Sequence, residues 1–454
     1  MRFFDITRLC KSADAKGPSG IDRVDLAYLQ WLRSFGSVKY LMHGVAGFSQ
    51  IDGRLGGAFA DKLQSAWQGK AGGFSRRQLR PFEDAAQRLR VRFRVAGNWR
   101  ARQTGLEALH AVKSLYDLCG EGVKELELLD ASAGMGAYRV DPNWRRNDKS
   151  GCFFGISHGM LSRSAYLAAL ARHKNLKRVF FIHDTIPCDY PEYCREKEGA
   201  KHLLRLRNTF RYASHVVVNS EYTRQRLEHW RRLLGAAEVE VEVIPIGVDE
   251  GLRALARYDA SLFAAKRPYF VVLGTIEPRK NHALLLHLWR DFAETLPAEK
   301  VPELVLIGRR GWENESVVRM LERCECLQGH VREMNGVLDD ELWPLLRGAR
   351  AVLFPSYVEG WGMPMVESLA LGVPVIGSDI PAFREAGQGV PELISPIDGN
   401  LWAARIREYA REDSIGRLAQ KERLKKYSPP TWQQHFAKVE AMLGSEVVGR
   451  MYEG

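Results

Sequence analysis

The chain has 454 residues, 45% hydrophobic and 27% charged, the composition of an ordinary folded protein with room for two or three cores. Its 66 Lys and Arg against 55 Asp and Glu leave a net charge of +11, which suits an anionic partner (a nucleotide, a phospholipid surface or nucleic acid) without choosing among them. No apolar run reaches the roughly 18–20 residues of a membrane helix, and the opening MRFFDITRLCKS lacks the apolar stretch and cleavage site of a secretory signal. We therefore expect a cytoplasmic chain whose seven scattered cysteines are free thiols. The pair Cys324 and Cys326 has no second pair at zinc-site spacing, and no metal is expected there.

Taken in chain order, the first unusual segment is 76–102. It holds nine Arg (76, 77, 80, 88, 90, 92, 94, 100 and 102) against Glu83 and Asp84, with Leu79, Phe82, Leu89, Phe93 and Trp99 interspersed. Two readings suit it: a basic amphipathic surface resting on anionic lipid, or a solvated helical hairpin packed on the first domain. No nucleic-acid motif accompanies the arginines, so a nucleic-acid partner is not expected. CFFGIS, KRVFFIHD, SHVVVNS and EVEVIPIG then read as strands, with helical stretches at YLAALARH and RQRLEHWRRLL. The junction between two α/β halves falls near residues 249–266. Beyond it PYFVVLGTI, PELVLIG, ARAVLFP and GVPVIGS read as buried strands, alternating with helical patterns at HALLLHLWRDFAET, ESVVRMLERC, DELWPLLRGA and MVESLALG. Such alternation predicts a parallel sheet covered on both faces.

The segment FPSYVEGWGMPMVESLALGVPVIGSDIP (354–381) concentrates the chemistry. A buried strand ends at Phe354-Pro355-Ser356, a loop with Gly360 and Gly362 follows, and Pro364 opens a helix. Glycines let the backbone approach a ligand, and a helix start offers unpaired N–H groups and a positive dipole end, a place for a diphosphate. Glu359 precedes the loop and Glu367 lies in the helix's first turn, so both can reach the crevice at the carboxyl end of the strand. Arg279 and Lys280 are adjacent cations in a turn after another strand, which also suits a pyrophosphate.

These residues carry a resemblance. Glu359 and Glu367, within E-G-W-G-M-P-x-x-E-S-L-A-x-G-x-P-V-I, resemble the E-x(7)-E signature of the family 4 glycosyltransferases, retaining enzymes of the GT-B fold. LGTIEPRKNHALLL (273–286), LIGRRGW (306–312), VREMNGVLDDELWPLLRGARAVLFPS (331–356), VVVNSEYTRQRL, VIPIGVD and SGIDRVDLAYLQWL (19–32) are similar to further family segments, in the family's order. The resemblance implies two Rossmann-like domains facing across a cleft. They would be an acceptor-side domain over 1–255 with a basic insertion around 60–150, and a nucleotide-sugar domain over 256–428. The stretch 429–454 would be a helix crossing back to the first domain, with Pro429 and Pro430 breaking the chain before YSPPTWQQHFAKVEAML.

It also implies roles. Lys280, with Arg279, would bind the donor diphosphate, and Glu367 the donor ribose. Glu359 would contact the transferred sugar, and the backbone of Gly360, Trp361, Gly362 and Met363 the phosphate and sugar. Gly308 and Val337 would line the base side, and Gly20 would let the first helix approach the phosphates. Many members have Arg where this chain has Thr275, so Arg279 is expected to supply that cation. His183, at the end of the strand in VFFIHDTIP, would be the catalytic histidine of the cleft, with His158 and Asp184 on the acceptor side. No D-x-D triplet occurs, so transfer without a metal or other cofactor is expected. The GTIEPRKN form resembles that of bacterial mannosyl- and rhamnosyltransferases of surface polysaccharides such as lipopolysaccharide. The expected donor is therefore GDP-mannose or a related GDP-sugar, with a UDP-hexose as the alternative. The expected acceptor is a saccharide, lipid-linked, at a membrane surface. A nucleotide-sugar epimerase of the same fold and a non-catalytic nucleotide- or lipid-binding protein are the rival readings.

Overall fold

The computed structural model describes residues 1–12, 18–43, 47–51, 53–67, 139–140, 144, 149–249, 252 and 267–452. The arginine-rich segment 76–102 and Cys119 lie outside them. The chain divides into two compact units, one of Met1–Pro191, Glu196–Ile244 and Phe436–Gly454, the other of Glu192–Arg195 and Pro245–His435. The junction read from the sequence at 255–256 thus falls at Ile244–Pro245, and the return to the first unit comes at Phe436.

The first unit is built on an eight-stranded sheet in the order β4-β3-β2-β1-β5-β6-β7-β8. The strands are β1 (Arg2–Asp5), β2 (Lys39–His43), β3 (Gly47–Ile51), β4 (Arg139–Val140), β5 (Gly151–Gly155), β6 (Leu176–Ile182), β7 (His215–Val218) and β8 (Glu240–Val243). All neighbours run parallel except β2 and β3, which pair antiparallel. Central strands buried on both faces read as unbroken apolar runs, as in Val179-Phe180-Phe181-Ile182. The helix Gly20–Ser34 starts at Ser19, whose side chain accepts from Asp22 N–H while the Asp22 carboxylate accepts from Ser19 N–H. The helix Trp432–Leu443 brings the chain back to this unit from Phe436 onward, and the helix Ser445–Tyr452 follows it. Phe436 stacks on Trp31 at 4.8 Å between ring centroids, and Trp31 Nε1 donates to Glu440 at 3.0 Å.

The second unit has a six-stranded, wholly parallel sheet, β11-β10-β9-β12-β13-β14. Here β9 is Tyr269–Leu273, β10 Glu303–Ile307, β11 Val331–Met334, β12 Val352–Phe354, β13 Val375–Ser378 and β14 Glu392–Ile394. Counted from β9, the order is 3-2-1-4-5-6, that of a dinucleotide-binding sheet. The helix His282–Thr295 buries Leu285, Leu286, Trp289 and Phe292, one stripe at helical spacing, while Trp289 Nε1 donates to Pro302 O at 2.8 Å. In a sheet of this order the strand direction of growth reverses between its first and fourth strands, β9 and β12. A crevice opens there at the carboxyl ends, and this is where such sheets bind ligands. No helix among the described residues is long and apolar enough to cross a membrane, and the six described cysteines are free thiols.

Candidate functional site

Two connections meet at the switch point of the second unit. Behind β9 the chain runs through Gly274, at φ +147°, into a short turn, Pro278–Lys280, and then into the helix His282–Thr295. Behind β12 it runs through Ser356 and Glu359 to Gly362, at φ +92°, which precedes the helix Met363–Ala370. Gly362 combines a left-handed backbone with a tight contact: a Cβ there would meet Phe383 at 2.5 Å. The Arg279 carbonyl accepts from Tyr357 N–H at 2.8 Å, which ties the two connections together.

Glu359 is the hub. Its Oε1 accepts from Lys280 Nζ at 2.5 Å and from Ser356 Oγ at 2.8 Å, and its Oε2 accepts from Arg279 at 2.5 Å. Arg279 Nε also lies 2.6 Å from Glu277. Glu277 and Glu359 are only 5% and 6% exposed, so these charges must be matched inside the protein. Burial alone pushes the Glu359 carboxyl up, but Arg279 and then Lys280 outweigh it and hold the pKa at about 2. Burial pulls the Lys280 ammonium down from its ordinary value, and Glu359 opposes that pull. The pair is ionised at neutral pH because each charge stabilises the other.

The remaining expected residues divide. Glu367 is buried on the second turn of the helix Met363–Ala370, in whose first turn Pro364 has no N–H and the Met365 and Val366 N–H groups donate to Gly362 O at 2.9 and 3.2 Å. The Trp361 ring is buried in the same loop, and its Nε1 has no hydrogen-bond partner among the described residues. Gly308 directly follows β10, and a Cβ there would fall 2.0 Å from Gly274 O, so this glycine serves the packing of two strand ends. Thr275 sits beside it, half-buried. Val337 is half-buried in the loop before the helix Asp339–Gly348, not in the core. Sequence reading missed Glu277, Ser356 and Tyr357. Glu277 had a signal, an acid two residues before an arginine in the same turn.

In the first unit Gly20 is the first residue of its helix, exposed behind the Ser19 cap. His158 and His183 come together, 5.2 Å between ring centroids, and are joined by His202, 5.0 Å from His158. His183 Nε2 faces Ile156 O at 2.9 Å, and a carbonyl only accepts, so that nitrogen carries the proton and Nδ1 keeps a lone pair. The His183 N–H donates to His158 Nε2 at 3.0 Å, and His202 Nε2 donates to Asp184 O at 3.0 Å. Burial holds His183 and His202 neutral, with pKa values of about 3, and pushes His158 down as well. Asp184, expected on the acceptor side, lies directly after His183. Its Oδ1 accepts from Ile186 N–H at 3.1 Å, while Ile156 O accepts from the His183 ring N–H. Sequence gave no sign of His202, because only the packing of the helix Glu198–Tyr212 brings it to this strand end.

Comparison with known proteins agrees with this architecture. Residues 258–423 match the family described as glycosyl transferases group 1, and residues 154–252 match glycosyltransferase family 4. Together the two matches cover more than half of the chain. The chain belongs to the glycosyltransferases. Relatives of this glycosyltransferase include O-antigen chain mannosyltransferase B of Escherichia coli, 28% identical over 54% of this chain and 65% of that protein. The serotype-specific mannosyltransferase WbdA of Escherichia coli is 28% identical over 46% of this chain and 27% of its own length. The chain thus spans less than two thirds of these relatives. Among solved structures, Anabaena HepE in complex with UDP superposes with a TM-score of 0.50 at 15% identity, covering 70% of this chain and 89% of that one. The trehalose 6-phosphate synthase of Burkholderia multivorans also gives 0.50, at 14% identity over 72% of this chain and 76% of that one. The fold is GT-B, with a Rossmann-like sheet in each unit.

Proposed function

We propose that this glycosyltransferase moves a hexose, with retention, from a nucleoside diphosphate sugar to a saccharide in bacterial surface-polysaccharide synthesis. The observation that carries the reading is the Lys280–Glu359–Arg279 network at the switch point between β9 and β12. As the sugar leaves, negative charge grows on the diphosphate, and cations already fixed in a desolvated place stabilise it without reorganising. The start of the helix Met363–Ala370 adds the positive end of its dipole. Glu359 holds both cations in place and has carboxylate lone pairs for a sugar hydroxyl. Glu367 would take the ribose, and His183 keeps a lone pair on Nδ1 for a hydroxyl. The relatives, O-antigen chain and serotype-specific mannosyltransferases by name, support mannose as the sugar and favour GDP-mannose as the donor. We propose metal-independent transfer, with protein cations in the place of a metal ion at the diphosphate. The acceptor is proposed to be lipid-linked, reached at an anionic membrane surface through the arginines of 76–102. Replacing Arg88, Arg90, Arg92 and Arg94 by Gln should then release the protein from anionic vesicles. The core reading is tested by Lys280→Ala, which should weaken nucleoside diphosphate binding by about 2–3 kcal/mol; unchanged binding would refute it.

A further inference from the structure

Four charges crowd the turn behind β9, and they cancel. Glu277 and Glu359 are matched by Arg279 and Lys280 through contacts of 2.5–2.6 Å. A nucleoside diphosphate sugar brings about two further negative charges, and this turn by itself has no net charge to meet them. Thr275, half-buried directly after Gly274, adds none.

The backbone beside Thr275 is supplied by the next strand. Ile276 N–H donates to Arg309 O at 2.9 Å, and Gly311 N–H donates to Ile276 O at 2.9 Å. Ile276 and Arg310 form a parallel bridge, and Asn314 Nδ2 also donates to Ile276 O at 2.9 Å. The missing Cβ of Gly308 lets this strand end close on Gly274. The stretch 308–311 is therefore sewn to 274–276, and Arg309 has its backbone fixed next to Thr275.

The two arginines in this stretch differ. Arg310 is engaged, at 2.6 Å from Glu322 and 2.8 Å from Glu333. Arg309 is exposed, and its side chain makes no ion pair or hydrogen bond with any described residue. A guanidinium on a pinned backbone with an unengaged head can turn to a phosphate without first breaking an ion pair, and it binds phosphate in a bidentate fork.

We propose that Arg309 is a third diphosphate-binding cation, supplying from the neighbouring strand the charge that Thr275 does not. The inference rests on the reading of this turn as a diphosphate site. The test is calorimetric titration of the full chain with inorganic pyrophosphate, for the parent, Arg309→Ala, Arg309→Lys, Arg310→Ala and Lys280→Ala. Arg309→Ala should weaken pyrophosphate binding about tenfold, with Arg309→Lys recovering part of the loss. Arg310→Ala removes the same formal charge close by and should change binding less than about twofold, which separates a local contact from a general field effect. If Arg309→Ala binds like the parent while Lys280→Ala binds weakly, Arg309 is not in the site, although the site stands. If Arg309→Ala and Arg310→Ala weaken binding equally, a specific role is likewise overturned. If the parent takes up no pyrophosphate, or Lys280→Ala binds like the parent, the diphosphate reading itself falls, and this inference with it.

Discussion

Replacing Glu359 by Gln keeps the shape of the side chain and removes the charge that Arg279 and Lys280 share. The Glu359 carboxyl is held at about 2, against 4.5 ordinarily, so the folded state gains about 3 kcal/mol from its ionised form at neutral pH. Because the folded value is depressed, that stability is fully present above about 4.5 and is lost as pH falls toward 2. The substitution also leaves Lys280, whose side chain is only 12% exposed, as a buried cation without its carboxylate. For a unit of this size about 3 kcal/mol corresponds to a fall in Tm of roughly 6–12 °C, readable by scanning calorimetry. Two companions sharpen the result. Lys280→Met in the Glu359→Gln background removes the stranded cation and should recover part of the loss, giving a coupling of at least about 1 kcal/mol in a double-mutant cycle. Pyrophosphate should raise the Tm of Glu359→Gln more than that of the parent, because the anion replaces the missing charge. A fall of under about 1 °C with additive double-mutant behaviour would mean that the network does not hold the site together, and the reasoning would fail.

Acid should weaken the first unit through its histidines. His183 and His202 stay neutral down to about 3 when folded, whereas unfolded histidine takes up a proton near 6.5, so stability is present above about 6.5 and is lost as pH falls toward 3. Each should cost about 2 kcal/mol by pH 5, and His202→Gln should flatten the fall of Tm with pH; an unchanged slope would contradict the burial argument. Phe436→Ala removes the ring stacked on Trp31 and should cost about 3–5 kcal/mol of thermal stability, with Phe436→Leu keeping most of it; a variant as stable as the parent would show that the terminal helix is not part of that core.

Much of the fold was legible because its signals are local. HALLLHLWRDFAET coincides with the helix His282–Thr295, and the apolar runs around Val271, Val305, Leu353 and Ile376 became β9, β10, β12 and β13. The weakly patterned strands were not. β1 is four residues long, β2 begins with a lysine, and β14 is three residues of mixed polarity, so each gains its place from neighbours and not from its own periodicity. At the candidate site the residue types were readable, and their pairing was not. Glu359 stood out for a sugar contact, and its pairing with Lys280 and Arg279, about 80 residues earlier in the chain, was not foreseen. Nothing in a linear pattern reports a contact across that separation. The three-histidine cluster escaped for the same reason, since His202 reaches Asp184 O only once the helix Glu198–Tyr212 docks.

The central claim is a nucleoside diphosphate sugar site built on Lys280, and titration of the purified chain with GDP-mannose, UDP-glucose, ADP-glucose and dTDP-rhamnose, in chelator, tests it most directly. The account predicts saturable binding of one of them, GDP-mannose first, that weakens by about 2–3 kcal/mol in Lys280→Ala. Binding of none of the four at millimolar concentration, or equal binding by parent and Lys280→Ala, would contradict it.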